Sequence, residues 1–352
     1  MKRTLIAALS LIFVFNILMM TGCSDRKQVY LTTGFKEDEL FKINDISGTL
    51  PELYIYLNDY AGKYERVYGE SIFETEVDDV TMADNVKDNV LAELSQIKAM
   101  NLLAKQNGTE LSEEEMLLAN EAATDYYASM RSDVADEYGI TADLLSNMFK
   151  EYRLSQKLYE EMIEDINPEI SDDEARTITV EHIFIKTYTR DSAGNPVEYS
   201  EAAKNIAYEK AEEILSLAKD GEHDFHDLVL QFSDGELSEY SFGKGDTESE
   251  FEEAAFNLGV DEISDVVTTR YGYHIIKCLS TFNREETDLN KIKIADKLRE
   301  ESFGDYFDEF SSLLVTYLND ELWESVNITP GNYLSDESFF DVYNKYFDEG
   351  ER

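Results

Sequence analysis

The hydrophobic positions of this chain change rhythm along its length. Leu5 to Met20 is apolar apart from Ser10 and Asn16, and the stretch from Ser24 to Lys36 is polar without a period. From about Asp38 to Asp173 apolar residues recur every three or four positions, which predicts helices. Val86, Val90, Leu94, Ile97 and Ala104 share one face of residues 82–106, and Gly108 is the expected stop. Ser112 and Glu115 carry a capping-box spacing. The helix they open reads through Met116, Ala119, Ala123, Tyr126, Met130 and Val134 towards Gly139. A third helix from about Thr141 carries Leu144, Leu145, Met148, Tyr152, Leu158 and Ile163, and it must end before Pro168. Ser171 and Glu174 repeat the capping spacing and mark a boundary.

Between Thr177 and Asn283 the pattern shortens. Residues 177–188 are rich in β-branched and aromatic side chains and read as a strand. A loop with Gly194 and Pro196 follows, then an amphipathic helix over 200–220 stopped by Gly221. A short helix over 226–232, a polar loop and a short helix near 250–257 come next. Residues 263–268 and 274–282 read as two strands joined through Tyr271-Gly272-Tyr273. This order describes a compact α+β domain. After Glu285 the spacing is helical again to about Tyr317, and beyond Pro330 lies an acidic tail with scattered aromatics, expected to dock loosely. The helical material on the two sides is too little for two separate cores. Both parts are therefore expected to pack together, with the α+β domain inserted between them.

Charge narrows the function. Lys plus Arg is 31 against 75 Asp plus Glu, a formal net charge of -44. Such a chain has nothing with which to neutralise phosphates, so nucleic acid is excluded as a partner. Hydrophobic residues make up 43%, with 22 Tyr and 19 Phe, enough to exclude disorder as the overall reading. Two cysteines rule out a disulfide scaffold and Cys-rich metal sites. Lys2 and Arg3 ahead of the apolar run have the form of an export signal, and the run is shorter than the roughly 20 residues that span a bilayer. Met20-Thr21-Gly22-Cys23 resembles a bacterial lipobox, with Met20 where Leu is more usual, so Cys23 is the expected lipidation site and mature N-terminus. The alternative is an uncleaved signal anchor with an incidental cysteine. Cys278 is then the one remaining thiol.

Several chemistries lack their motifs: no Gly-rich phosphate loop, G-x-S-x-G, H-E-x-x-H or C-x-x-C occurs. His223 and His226 stand three apart on a helix but have no obvious third ligand, so no metal and no cofactor is expected. What remains is an ordered set of stretches. They are Glu181-His182-Ile183-Phe184-Ile185, Gln231-Phe232-Ser233-Asp234, Phe242-Gly243-Lys244-Gly245, Phe251-Glu252-Glu253-Ala254-Ala255-Phe256, and Thr269-Arg270-Tyr271-Gly272-Tyr273-His274-Ile275-Ile276. Taken in this order they resemble the parvulin (rotamase) family of peptidyl-prolyl cis-trans isomerases. With the lipobox and the flanking helices, the whole chain resembles the PrsA-type extracytoplasmic foldases, and its N-terminal helical part is similar to the SurA and trigger-factor class of chaperone domains.

The resemblance implies an α+β fold, a parvulin-like antiparallel sheet with surrounding helices inserted between helical segments that form a chaperone domain. The implied organisation is a signal peptide at 1–22, a lipid-anchored tether at 23–37, and chaperone segments at 38–175 and 285–329. The isomerase domain takes 176–284 and the acidic tail 330–352. It also implies a paired-histidine floor of His182 and His274, with Thr269 bonded to one imidazole and Asp234 facing the prolyl amide. Phe251 is the aromatic wall of the proline slot, expected to be part-open, with Phe242 near it and Thr247 where the family usually has Met. The loop 233–242 is also shorter than usual and lacks a Gly-Gly pair. The implied partners are exported polypeptides with X-Pro bonds, and the membrane through the lipid anchor. A homodimer stays open. Thr247 and the short loop keep a second function in view, a holdase whose isomerase is weak. A third, an acidic cation-binding lipoprotein, lacks any D-x-D-x-D-G loop.

Overall fold

The structure, a computed structural model, describes residues 34–77, 79–191, 195–235 and 239–348. The export signal, Cys23, the tether up to Thr33, Gly194 and Glu236-Leu237-Ser238 lie outside the described residues. The chain divides into two compact units. One takes the chain up to Glu164 and from Gly304 onward, and the other is Asp165–Phe303.

The first unit starts with strands rather than the expected helix: β1 (Glu39–Ile43) and β2 (Ile46–Thr49) form an antiparallel hairpin. Asn44 supplies the turn with a φ of 52°. A side chain at Gly48 would meet the Phe41 ring at 2.2 Å, so only glycine lets that ring lie across β2. Helix α1 (Leu50–Tyr68) opens where Glu52 accepts the Thr49 N–H at 2.7 Å. A 3-10 turn (Glu70–Glu74) and a small hairpin, β3 (Glu76–Val77) with β4 (Val80–Thr81), lead into α2 (Met82–Asn107). That helix stops at Gly108, whose φ of 78° is left-handed.

The reading of one helix from Ser112 towards Gly139 is corrected. Helix α3 (Glu113–Ser129) forms with its capping box, but Met130 is extended and a separate α4 (Ser132–Glu137) follows. The break frees the Arg131 N–H to donate to the Leu334 carbonyl at 2.8 Å. Helix α5 (Ala142–Glu164) then packs on α2 and α3. Lys98, 4% exposed, is bracketed by Glu52 and Glu151 at 2.7 Å each, so α1, α2 and α5 meet at one satisfied buried charge.

The second unit reaches beyond 176–284 at both ends, because Arg284 and Lys291 pair with Asp172 and Arg299 Nε donates to the Ile166 carbonyl at 2.8 Å. At Ser171 the Glu174 N–H does bond the serine hydroxyl, but only a turn forms before the chain enters β5 (Ile178–Lys186). A small hairpin, β6 (Tyr188–Arg190) and β7 (Pro196–Glu198), precedes α6 (Glu201–Ala218) and α7 (Phe225–Phe232). The polar stretch read as loop then yields a strand, β8 (Glu239–Phe242). It pairs with Ile178–Glu181, setting Tyr240 opposite Val180 and Phe242 opposite Ile178. Helix α8 (Ser249–Phe256), β9 (Val267–Thr269) and β10 (Gly272–Ser280) complete the sheet, an antiparallel order β8-β5-β10-β9. Ile263 makes only an isolated bridge to Lys277.

Period two divides this sheet. Ile183, Ile185 and Ile275 pack against α6 and α7, while Ile178, Val180 and Ile276 pack with Phe242, Phe251 and Ala255. His182, Phe184 and His274 belong to this second face.

Helix α9 (Arg284–Ser312) leads back to the first unit. There β11 (Thr316–Leu318) pairs with β1, and α10 (Asp320–Glu324) and α11 (Phe339–Phe347) follow. The loosely docked tail is corrected: Phe339 is 0% exposed and stacks on Phe149 at 4.2 Å, and Tyr343 sits edge-on to Tyr152 at 4.6 Å. Phe339, Val342 and Tyr343 share one helical face, so the acids take the other and the composition conceals an amphipathic helix.

Candidate active site

The sheet brings together residues distant in sequence. On β5 and β10, His274 lies opposite Phe184, and Ile276 lies opposite His182. The two imidazoles are therefore diagonal neighbours on one face. Their rings are 5.4 Å apart and tilted by 16°, with Nδ1 to Nδ1 at 3.3 Å. Gly272, at the start of β10, permits the close approach: a side chain there would meet the Ile185 carbonyl oxygen at 2.2 Å. On the far side, His274 Nε2 lies 2.9 Å from Thr269 Oγ1 at the end of β9. Thr269 is itself fixed, its hydroxyl accepting the Tyr271 N–H at 3.2 Å.

The result is a buried line of hydrogen bonds, Thr269 to His274 to His182, in which each imidazole is 8% exposed. Burial, reinforced by the neighbouring His182, holds His274 at about 3, well below the ordinary histidine value. His274 is thus neutral at any physiological pH and keeps one N–H and one lone pair for its two partners.

Aromatic rings surround the pair. Phe251 is edge-on to His182 and His274 at 5.4 and 5.2 Å, and Phe184 stacks on His274 at 4.9 Å. Tyr240 is edge-on to His182 at 5.6 Å and parallel to Phe251 at 6.1 Å. Phe242 lies 5.8 Å from Phe251. The expectation of a part-open Phe251 is corrected: it is 2% exposed and Phe242 is 4% exposed, so both rings are covered. Thr247 is half-buried, and its hydroxyl is enclosed without a hydrogen bond among the described residues.

Asp234 stands apart from this line. Its N–H donates to the Phe184 carbonyl at 2.7 Å, and its carboxylate accepts the Lys186 N–H at 3.1 Å. It thus caps the edge of β5 and borders a hollow of about 640 Å³ lined by Phe184, Lys186, Tyr188, Arg190 and Gly235 among others. His223 and His226 have separate partners, Asp220 at 2.8 Å and Glu181 at 2.6 Å. Among the described residues no group of three or more His, Cys, Asp and Glu is placed to hold a metal.

Three contributors had no role assigned from the sequence: Phe184, Tyr240 and Ser233, whose hydroxyl accepts the Phe184 N–H at 3.1 Å. Phe184 carried a usable signal, since it stands two residues after His182 and must share its face. Tyr240 carried one only once β8 is recognised as a strand.

This geometry can bind an apolar ring beside a tightly oriented pair of imidazoles, of which His274 is neutral. It offers no activated nucleophile and needs none for a reaction that only rotates a bond. Known proteins agree in kind. The family model described as Rotamase, PPIC-type PPIASE domain, matches residues 182–280. Foldase protein PrsA of Halalkalibacterium halodurans is 30% identical over 261 residues, covering 69% of this chain and 73% of that protein. Foldase protein PrsA 3 of Bacillus cereus is 30% identical over 230 residues, 62% of this chain and 76% of that one. A crystal structure of PrsA from Bacillus cereus shares 20% identity, covers 88% of this chain and 98% of that chain, and has a TM-score of 0.37.

Proposed function

The chain belongs to the PrsA foldase family, and on that premise we propose that it holds exported polypeptides and speeds X-Pro isomerisation at the imidazole pair. The isomerase is of the parvulin type. The uncatalysed step has a barrier of about 20 kcal/mol from amide resonance. A site lowers it by binding the twisted amide better than either planar form, without a covalent intermediate. The observation that carries the assignment is the buried line Thr269–His274–His182 beneath Phe184, Phe251 and Tyr240. His182 and His274 fix the floor on which the prolyl ring rests, Thr269 orients His274, and Phe251 supplies the apolar wall. Phe242 supports that wall and Thr247 lines the slot. Asp234 acts at the rim, setting the edge of β5 on which the peptide runs.

Cys23 carries the lipid, so the protein works on the outer face of a bacterial cytoplasmic membrane. Among the described residues no helix is long and apolar enough to cross a membrane. The first unit holds the client, and the second, Asp165–Phe303, isomerises it. Self-association into a homodimer is compatible with this arrangement.

A second reading, a holdase with a weak isomerase, is favoured by one observation: Phe251, the wall of the slot, is 2% exposed. A proline-tetrapeptide isomerisation assay on the full chain separates the two. The enzyme reading expects acceleration by the wild type and a loss of about tenfold or more in His274→Ala, equivalent to about 1.4 kcal/mol of transition-state binding. Equal rates with and without protein leave the holdase.

A further inference from the structure

An isomerase needs a place for the proline ring, yet the rings around the imidazole pair are nearly closed. Phe251, Phe242, His182 and His274 are all buried. Of the described rings that meet the imidazole pair, Tyr240 and Phe184 are half-exposed. Their positions differ. Phe184 stacks on His274 from its place on the central strand β5. Tyr240 comes from β8, a four-residue strand at the edge of the sheet. Its ring is the one that lies parallel to Phe251, at 6.1 Å and 14°, while its edge meets His182 at 5.6 Å. An apolar ring bound between the wall and the imidazoles would make those same two contacts.

We propose that Tyr240 is a gate on the prolyl site: its ring occupies the place of the substrate proline and must swing aside before peptide can enter. The inference rests on the isomerase reading of the same site and adds how that site is opened. Two features make the swing feasible. The Tyr240 hydroxyl makes no hydrogen bond among the described residues, so packing alone holds the ring. Part-exposed rings change rotamer quickly compared with the seconds of uncatalysed prolyl rotation. The consequence is a cost on binding rather than on chemistry. If peptide binds only the open fraction, the apparent dissociation constant is the intrinsic one divided by that fraction. Peptides rich in apolar side chains beside the proline gain most, since they can hold the displaced ring aside.

The test is kinetic, on the full chain, with an Ala-Pro tetrapeptide. Tyr240→Ala removes the plug, so KM is expected to fall by about three- to tenfold with kcat within about twofold. Tyr240→Trp, a larger plug, is expected to raise KM. A residue that only packs the core predicts the opposite for Tyr240→Ala, a weaker site. Tyr240→Leu carries the same test should the alanine variant fail to fold. An unchanged or raised KM in a folded Tyr240→Ala or Tyr240→Leu protein overturns the gate and leaves the isomerase reading intact if the wild type is active. Folded variants that are inactive beside an active wild type also overturn the gate; if the wild type does not turn over, the isomerase reading falls. The gate is then decided by titrating the tetrapeptide against the His182 and His274 ring protons: tighter binding in Tyr240→Ala supports it, and equal or absent binding overturns it.

Discussion

Each unit of this protein is organised around a nest of aromatic rings, and the two nests differ in what closes them. In the helical unit Tyr56, Tyr126, Phe149 and Tyr152 surround Phe339, and α11 seals them with Phe339 wholly buried. In the α+β unit Phe251 and Phe184 flank two imidazoles, Phe242 backs Phe251, and the cover is the half-exposed Tyr240 of an edge strand. Ring packing is therefore no guide to function by itself. A nest of hydrocarbon closed by an amphipathic helix is a core. One with oriented imidazole nitrogen atoms and a part-exposed cover has both the chemistry and the means of access that a binding site needs.

Truncation should strain the comparison most. Phe339→Ala and Phe251→Ala each empty a buried ring site, and each is expected to destabilise its own unit by about 3–5 kcal/mol. Trp323, the one tryptophan, packs against the core of the helical unit and reports on it by fluorescence. Urea unfolding followed at Trp323 should shift for Phe339→Ala. Ring-proton signals of His182 and His274 should shift for Phe251→Ala. A loss below about 1 kcal/mol in Phe251→Ala would return that ring to the role of an open wall.

The nests should also respond oppositely to pH. His274 is held at about 3 by burial and by His182, whereas the unfolded chain takes up that proton near 6.5. From 6.5 down to about 3 the unfolded state binds the extra proton, so this contribution to the α+β unit is full above 6.5 and is lost on acidification, by about 1.4 kcal/mol per pH unit. Glu93 in the helical unit is pushed up to about 7, chiefly by burial and also by the charge of Asp59. Its folded state binds the extra proton between 4.5 and 7, so that contribution is full below 4.5 and is lost as pH rises to about 7. Urea midpoints read by the two probes between pH 4.5 and 6.5 should therefore move apart relative to His274→Asn and Glu93→Gln, which remove the respective slopes. Parallel slopes in wild type and variants would mean neither group governs its nest.

Much of this was legible in advance, and the reasons are local. Strands β5 and β10 announce themselves through long β-branched runs, and a shared face follows for His182 and Phe184 from period two alone. The capped helices α2 and α3 were visible because Gly108 and the Ser112–Glu115 spacing are short-range signals. What escaped depends on partners far along the chain. Glu239–Phe242 is too short and polar to read as a strand until Ile178–Glu181 pairs with it. The 39–49 hairpin is completed by β11, hundreds of residues later. The closure of Phe251 cannot be read from its own neighbours in sequence, because the rings that cover it come from β5, β8 and β10.

Ser233 is the smallest lever on the contrast and the most selective. Strand β8 covers only Ile178–Glu181, so among the described residues the continuation of β5 at Phe184 has no strand partner on that side. Ser233 stands in for one: its hydroxyl accepts the N–H of Phe184 at 3.1 Å and of Gly235 at 3.3 Å. Losing one such bond costs about 0.5–1.5 kcal/mol, and the part-buried setting lets water recover some of it. Ser233→Ala is thus expected to lower the urea midpoint of the α+β unit only slightly. Its effect on the site should be larger, because the freed backbone lets the Phe184 ring drift from His274 and loosens the floor. A fall of about three- to fivefold in kcat/KM, restored by Ser233→Thr, is the expected result. If stability falls by more than about 2 kcal/mol and threonine does not rescue the rate, Ser233 belongs to the fold of the unit rather than to the placement of its reactive face.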